Sequence, residues 1–309
     1  MNELRQRRAS RGSEDISEPL LGGDSAGYGS APMGTDEDGD APFDFWHWIL
    51  SLLASFGLCD RPSPRLTPTQ RRRLDEIAAR VDVPYDSFED SHRASLLELW
   101  NLTFPNDPRP AEFSDGGVKH PKWKEMGWQG VDPATDFRSG GLLSLHNLIW
   151  LAKHERGVYD RLLRKTDGTR SEWEYPFAAA GVNVTHALCD ELQLRPTRRR
   201  TRGNGGNRVA PEEGQPHASY SPAPNAPAAV AFTHMLRKGR AGAKDAFERV
   251  YAAWFEALDR EWLDRGATYM EFGEVMNATR NKVRGALERA GRRNGGCTVE
   301  GLREELGLT

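Results

Sequence analysis

Cysteine is scarce in this chain: Cys59, Cys189 and Cys297 are the only three in 309 residues, and they stand far apart. With no CxxC pair, a zinc ribbon is excluded, and an odd, widely spaced set argues against a disulfide framework. That usage fits a reducing compartment. An excess of one charge is missing too. A formal net charge of −3 and a pI near 6.3 give neither a global nucleic-acid signature nor a strongly acidic chain. No signal peptide is visible, since the first apolar stretch starts near Phe43, behind an acidic segment. HExxH and GxxxxGK[ST] are absent, so the chain carries no zincin or P-loop nucleotidase motif of its own. His146 and His154, eight apart on one helical stretch, read as satisfied or solvated histidines, and no metal site is expected.

What is present is uneven. Mean hydropathy is low at −0.68, yet the chain holds nine tryptophans, which implies a real core alongside polar segments unable to fold. Residues 1–42, rich in Gly, Ser, Asp and Glu, read as a disordered tail. "PFDFWHWILSLLASFGLC" (42–59) gives the segment 43–61 its character, and its apolar part falls short of the ~20 residues a spanning helix needs. It reads either as a helix on the domain's own core or, with Trp46 and Trp48 at the interface, as a peripheral membrane contact.

Thr67-Pro68-Thr69-Gln70 is a capping box with proline at the first helical position, and Leu74, Ile77, Ala78 and Val81 continue it as an amphipathic helix. Further helices are expected over 89–103, from Leu142 through Ala152, and from Pro176 to about Leu194. Residues 195–227, Arg/Gly-rich and then Pro/Ala-rich, read as a disordered insertion. Beyond it, Phe247, Val250, Tyr251, Trp254, Phe255, Leu258 and Trp262 form the strongest apolar stripe of the chain. Thr268 and Glu271 make a second capping box, and a short helix is expected near 298–306. No alternating run of useful length suggests a sheet. The expected fold is all-α, one domain whose first part spans 62–194 and whose C-terminal helices span 228–309.

About 40 residues between the second and third helices, 103–141, lack periodicity yet carry Trp123, Trp128 and Phe137. Long connections of this kind are uncommon in compact domains and often functional. At its end, Asp136-Phe137-Arg138-Ser139-Gly140-Gly141 runs straight into a helix. Ser139 is the expected N-cap, and the glycines permit close approach. A helix N-terminus favours anions, and Arg138 adds a forked cation with five donors. The alternative is that Arg138 merely pairs with Asp136 or another carboxylate and fixes the loop.

"WKEMGWQGVDPATDFRSGG" resembles the signature of the ELMO domain family, W-x-x-x-G-F/W-Q-G-x-x-P-x-T-D-F-R-G-x-G. "WEYPFAAAGVNVTHAL" and "YMEFGEVMNATRNKV" are similar to its two later blocks, in the right order, and the likeness covers roughly 62–290. The resemblance implies a helical fold and a short single-domain member of the kind that keeps the signature arginine. Such members act as GTPase-activating proteins for Arf and Arf-like GTPases. Arg138 would then be an arginine finger supplied in trans, with GTP and magnesium carried by the partner and no cofactor of its own. The resemblance assigns Trp123, Gly127, Trp128, Gln129, Asp132, Pro133, Thr135, Asp136, Phe137 and Gly140 to loop scaffold or partner binding. Gln129 is expected to hydrogen-bond the loop together with Asp132 and Thr135. One departure stands out: the family has glycine where this chain has Ser139, which would strain the loop if that position needs φ > 0.

Two other function classes compete with this reading. One is a non-catalytic scaffold that binds a small GTPase. The other is nucleic-acid binding through "RPTRRRTRGNGGNR", although an arginine run in a linker is usually only solvated. A cytoplasmic protein working at endomembrane surfaces is the expectation.

Overall fold

The structure is a computed structural model and describes residues 64–112, 116–164, 174–195 and 224–308. The tail, the Trp-rich segment 43–59 and most of the insertion lie outside the described residues. Nine α-helices occur among those described: α1 (Pro68–Ala78), α2 (Asp90–Thr103), α3 (Gly141–His154), α4 (Arg156–Arg164), α5 (Phe177–Glu191), α6 (Pro227–Met235), α7 (Ala246–Arg265), α8 (Phe272–Gly291) and α9 (Val299–Leu306). The all-α expectation holds. The only strands among the described residues are two-residue segments, β1 (Ala111–Glu112) and β2 (Val118–Lys119), paired antiparallel inside the long loop.

Local chemistry explains where the helices start. Thr67 Oγ1 accepts the Gln70 N–H at 3.3 Å and Gln70 Oε1 accepts the Thr67 N–H at 3.0 Å, so the capping box before α1 is formed in both directions. The box at Thr268 and Glu271 also forms, closing a 3₁₀ turn (Tyr269–Glu271) that leads into α8. Helices α4 and α6 were not expected from the periodicity.

The apolar stripe of α7 runs through the centre of the molecule, with α3, α4, α5, α8 and α9 packed against it. Trp254, Trp262, Tyr251, Phe247 and Phe255 are fully buried. The part of the helix up to Asp259 is buried nearly all round, and charges there have to be neutralised. Glu256 accepts from Arg161 Nη2 of α4 at 2.6 Å and from Arg303 Nη1 of α9 at 2.7 Å. Asp259 Oδ1 accepts the Tyr175 hydroxyl at 2.7 Å.

The insertion is narrower in the fold than in the sequence. Arg195, Pro224 and Asn225 belong to the described body, and α6 already opens at Pro227. Gln193 closes the base of the insertion: its Oε1 accepts the N–H groups of Asn225 and Ala226 at 2.8 and 3.0 Å, and its Nε2 donates to Asn225 Oδ1 at 3.0 Å.

Candidate functional site

The loop between α2 and α3 is built on its aromatic residues. Trp123 is fully buried, meets Trp100 of α2 edge-on at 4.9 Å between ring centroids, and donates its indole N–H to Val118 O at 2.9 Å. Trp128 meets Phe137 edge-on at 5.0 Å, and Phe137 stacks on Tyr85 at 4.9 Å. Two 3₁₀ helices, Pro121–Met126 and Pro133–Arg138, order its second half, so this part is a packed surface element. His120 and Asp132 cap them, His120 Nδ1 accepting the Lys122 N–H at 3.1 Å and Asp132 Oδ1 the Ala134 N–H at 3.1 Å. Both helices have proline in the first turn, where a missing N–H costs nothing. Gly127 has φ +86°, and a Cβ there would come within 2.5 Å of the Phe177 N atom, so the loop rests directly on the start of α5.

Polar side chains of the signature serve the loop. Asp136 Oδ2 accepts the Gln129 N–H at 2.8 Å and its Oδ1 accepts the Thr135 hydroxyl at 3.3 Å; Thr135 also reaches Asp132 O at 3.4 Å. Gln129 therefore joins the network through its main chain, not its side chain, which is exposed and makes no hydrogen bond among the described residues. Asp136 does not pair with Arg138.

At the junction, two expectations are corrected. Ser139 is not the N-cap of α3; that position is Gly140, and no side chain caps the helix. Ser139 instead follows the second 3₁₀ helix with φ −93° and ψ −33°, a conformation any residue adopts, so it brings no strain where the family has glycine. The demanding position is Gly141, with φ +57° and Val83 O only 2.3 Å from where a Cβ would stand. The adjacent Leu142 N–H donates to that same carbonyl at 2.9 Å. Pro133 and Gly140 are buried scaffold.

Arg138 stands apart from everything around it. It is exposed, and among the described residues it has no hydrogen bond and no ion pair. It borders a cavity of about 380 Å³ with apolar walls from Pro84, Tyr85, Ala134 and Phe137 and polar ones from Asp82, Ser139, His186 and Arg195. Burial, helped by the neighbouring Asp132 carboxylate, pushes the Tyr85 phenol up to about 12, so it stays a neutral wall of this cavity. Asp82, Tyr85, His186 and Arg195 escaped the sequence reading. His186 and Asp190 stand one turn apart on α5, and Arg195 reads as the first residue of an arginine run, so no local pattern links them to the loop.

The sequence pattern of the ELMO/CED-12 family matches residues 75–276. The chain belongs to that family. It is 32% identical over 219 residues to ELMO domain-containing protein A of Dictyostelium discoideum, covering 71% of this chain and 21% of the relative. It is 28% identical over 235 residues to ELMO domain-containing protein C of the same organism, covering 76% of this chain and 32% of the relative. To ELMO domain-containing protein 1 of Mus musculus it is 37% identical over 117 residues, covering 33% of this chain and 34% of the relative. The matches thus span between about a fifth and a third of these relatives' lengths. ELMO-family proteins are linked to small-GTPase pathways. In this ELMO domain the signature loop is the segment from Trp123 to Gly141, and Arg138 is its one exposed arginine.

Proposed function

We propose that this ELMO domain is a GTPase-activating protein for an Arf or Arf-like small GTPase, with Arg138 as the arginine supplied in trans. The observation that carries the reading is the contrast at the loop. Trp123, Trp128, Pro133 and Phe137 are buried and Asp132, Thr135 and Asp136 are bonded to the loop, whereas Arg138, its one arginine, is exposed and unpaired among the described residues. A guanidinium tied to a carboxylate would have to be released before use; an untied one on a rigid base is ready to meet a partner's nucleotide. During hydrolysis charge builds on the γ-phosphate and leaving oxygens. An inserted guanidinium offsets it, an effect worth about 10³–10⁵ in rate in other GTPases. The partner would bring the P-loop, magnesium and GTP.

The ordinary backbone at Ser139 supports this reading too, because the departure from the family pattern leaves the arginine's base unstrained. Peripheral membrane contact through 43–59 and action at endomembrane surfaces belong to the same proposal. Those residues lie outside the described ones, and no helix among the described residues is long and apolar enough to cross a membrane. Flotation of the full chain with vesicles, against a chain starting at Pro62, tests that contact.

The test of activity is single-turnover GTP hydrolysis by a panel of Arf and Arf-like GTPases. One GTPase is expected to accelerate at least ~100-fold, about 2.7 kcal/mol of barrier. Arg138→Ala and Arg138→Lys are expected to lose that acceleration while unfolding within ~0.5 kcal/mol of the unsubstituted chain, because the side chain is exposed and unpaired. A GTPase that binds without faster hydrolysis would instead make the domain a non-catalytic scaffold.

A further inference from the structure

An arginine that nothing holds by its head must be aimed from its base. The downstream side of that base is fixed by Gly141 and the Leu142–Val83 hydrogen bond. Between these and Arg138 lies the carbonyl of Ser139, the residue after Arg138, where the 3₁₀ helix stops and leaves acceptors without partners in the helix.

That carbonyl is held from α5 and from the residue where the described chain breaks off. His186 Nδ1 lies 2.8 Å from Ser139 O and 2.7 Å from Arg195 Nη2, and Arg195 Nη2 itself lies 3.4 Å from Ser139 O. Either histidine tautomer therefore leaves the carbonyl a donor: the His186 Nδ1–H in one, Arg195 in the other. Arg195 is held in turn by two carboxylates. Its Nη1 donates to Asp82, and its Nε lies 2.8 Å from Asp190 Oδ1, an ion pair without hydrogen-bond geometry. Its side chain is 27% exposed, and it lines the same cavity as Arg138.

We propose that Arg195 is a positioning residue for Arg138: with His186 it clamps the Ser139 carbonyl and so fixes the backbone from which the free guanidinium projects. Two carboxylates engage the charge of Arg195, so it is not a second finger. The inference rests on the activating role proposed for Arg138.

The experiment uses the full chain and the GTPase that responds best in the panel. Arg195→Ala is expected to lower the maximal single-turnover rate about tenfold while the half-saturating concentration of the domain moves less than about twofold. Arg195→Lys is expected to recover part of the rate. In an Arg138→Ala background, Arg195→Ala is expected to cost nothing further, because its effect passes through Arg138. Equal losses with and without Arg138, or a change confined to half-saturation, would overturn the proposal. Hydrogen exchange of the chain without partner supplies an independent arm. Arg195→Ala should speed exchange over 133–143 and leave the central helix α7 as protected as before, whereas unchanged exchange in the loop refutes the clamp. If no GTPase responds to the unsubstituted chain, the activating role fails, and the exchange arm alone decides whether Arg195 fixes the arginine's loop.

Discussion

A methyl group added at Gly141 would meet the Val83 carbonyl oxygen at 2.3 Å, and the φ of +57° there costs an L-residue about 1–2 kcal/mol before any clash. Two positions upstream, Ser139 sits at φ −93°. The pair therefore answers substitution in opposite ways. Gly141→Ala is expected to lose at least about 2 kcal/mol in urea unfolding, since backbone strain and a backbone clash add. Ser139→Gly is expected to stay within about 1 kcal/mol, the cost of added freedom in the unfolded chain. A mild loss at Gly141 would show that the junction can relax around it. From the sequence alone the two positions were indistinguishable in this respect. Ser139 looked like the exceptional residue because a family pattern drew attention to it, whereas the backbone demand lies at Gly141, where Val83 comes back against the chain.

At the scale of elements, helices with their own start signals were legible and helices defined by a neighbour were not. Thr67–Gln70 and Thr268–Glu271 form their boxes where expected, and the stripe from Phe247 to Trp262 becomes the central helix. Helix α6 was hidden because it is short, carries three alanines in its first five residues and follows a Pro/Ala-rich stretch. Small side chains are what its packing needs: a Cβ on Gly291 of α8 would lie 2.8 Å from the Ala231 Cβ. The same interface holds His234, whose Nδ1 accepts the Cys297 N–H at 3.2 Å and must be unprotonated to do so. Burial first, then Arg237 and Arg240, push His234 down to about 4. The unfolded chain, with an ordinary histidine near 6.5, binds more protons between these values. The contribution is therefore complete above about pH 6.5 and is lost as pH falls toward about 4. Urea midpoints measured from pH 7.5 to 4.5 are expected to fall more steeply for the unsubstituted chain than for His234→Asn, whose amide oxygen keeps an acceptor without the titration. Parallel slopes would rule the histidine out as the source.

For the whole molecule, the insertion raises a question of chain entropy. The described residues stop at Arg195 and resume at Pro224, and Gln193 bonds to Asn225 and Ala226 across that interval. The ends are thus already held together, and loop closure depends only logarithmically on length. Replacing 197–222 with a Gly/Ser linker of about six residues is expected to leave the thermal transition unchanged or to raise stability by about 1 kcal/mol. A large loss would mean that the segment packs on the body. The sequence by itself determined the all-α class, most helix boundaries, the family and the candidate Arg138, because these rest on local periodicity, capping chemistry and a contiguous signature. Only the tertiary structure decided that Arg138 is unpaired, that Gly141 carries the backbone demand and that Arg195 belongs to the site. Those facts depend on Asp82, Val83, His186 and Arg195, which are distant from the junction in sequence and meet it only when the connection between α1 and α2 and the helix α5 pack beside the loop. A contact between distant segments leaves no periodic trace in the sequence, so it becomes visible only once the chain has folded.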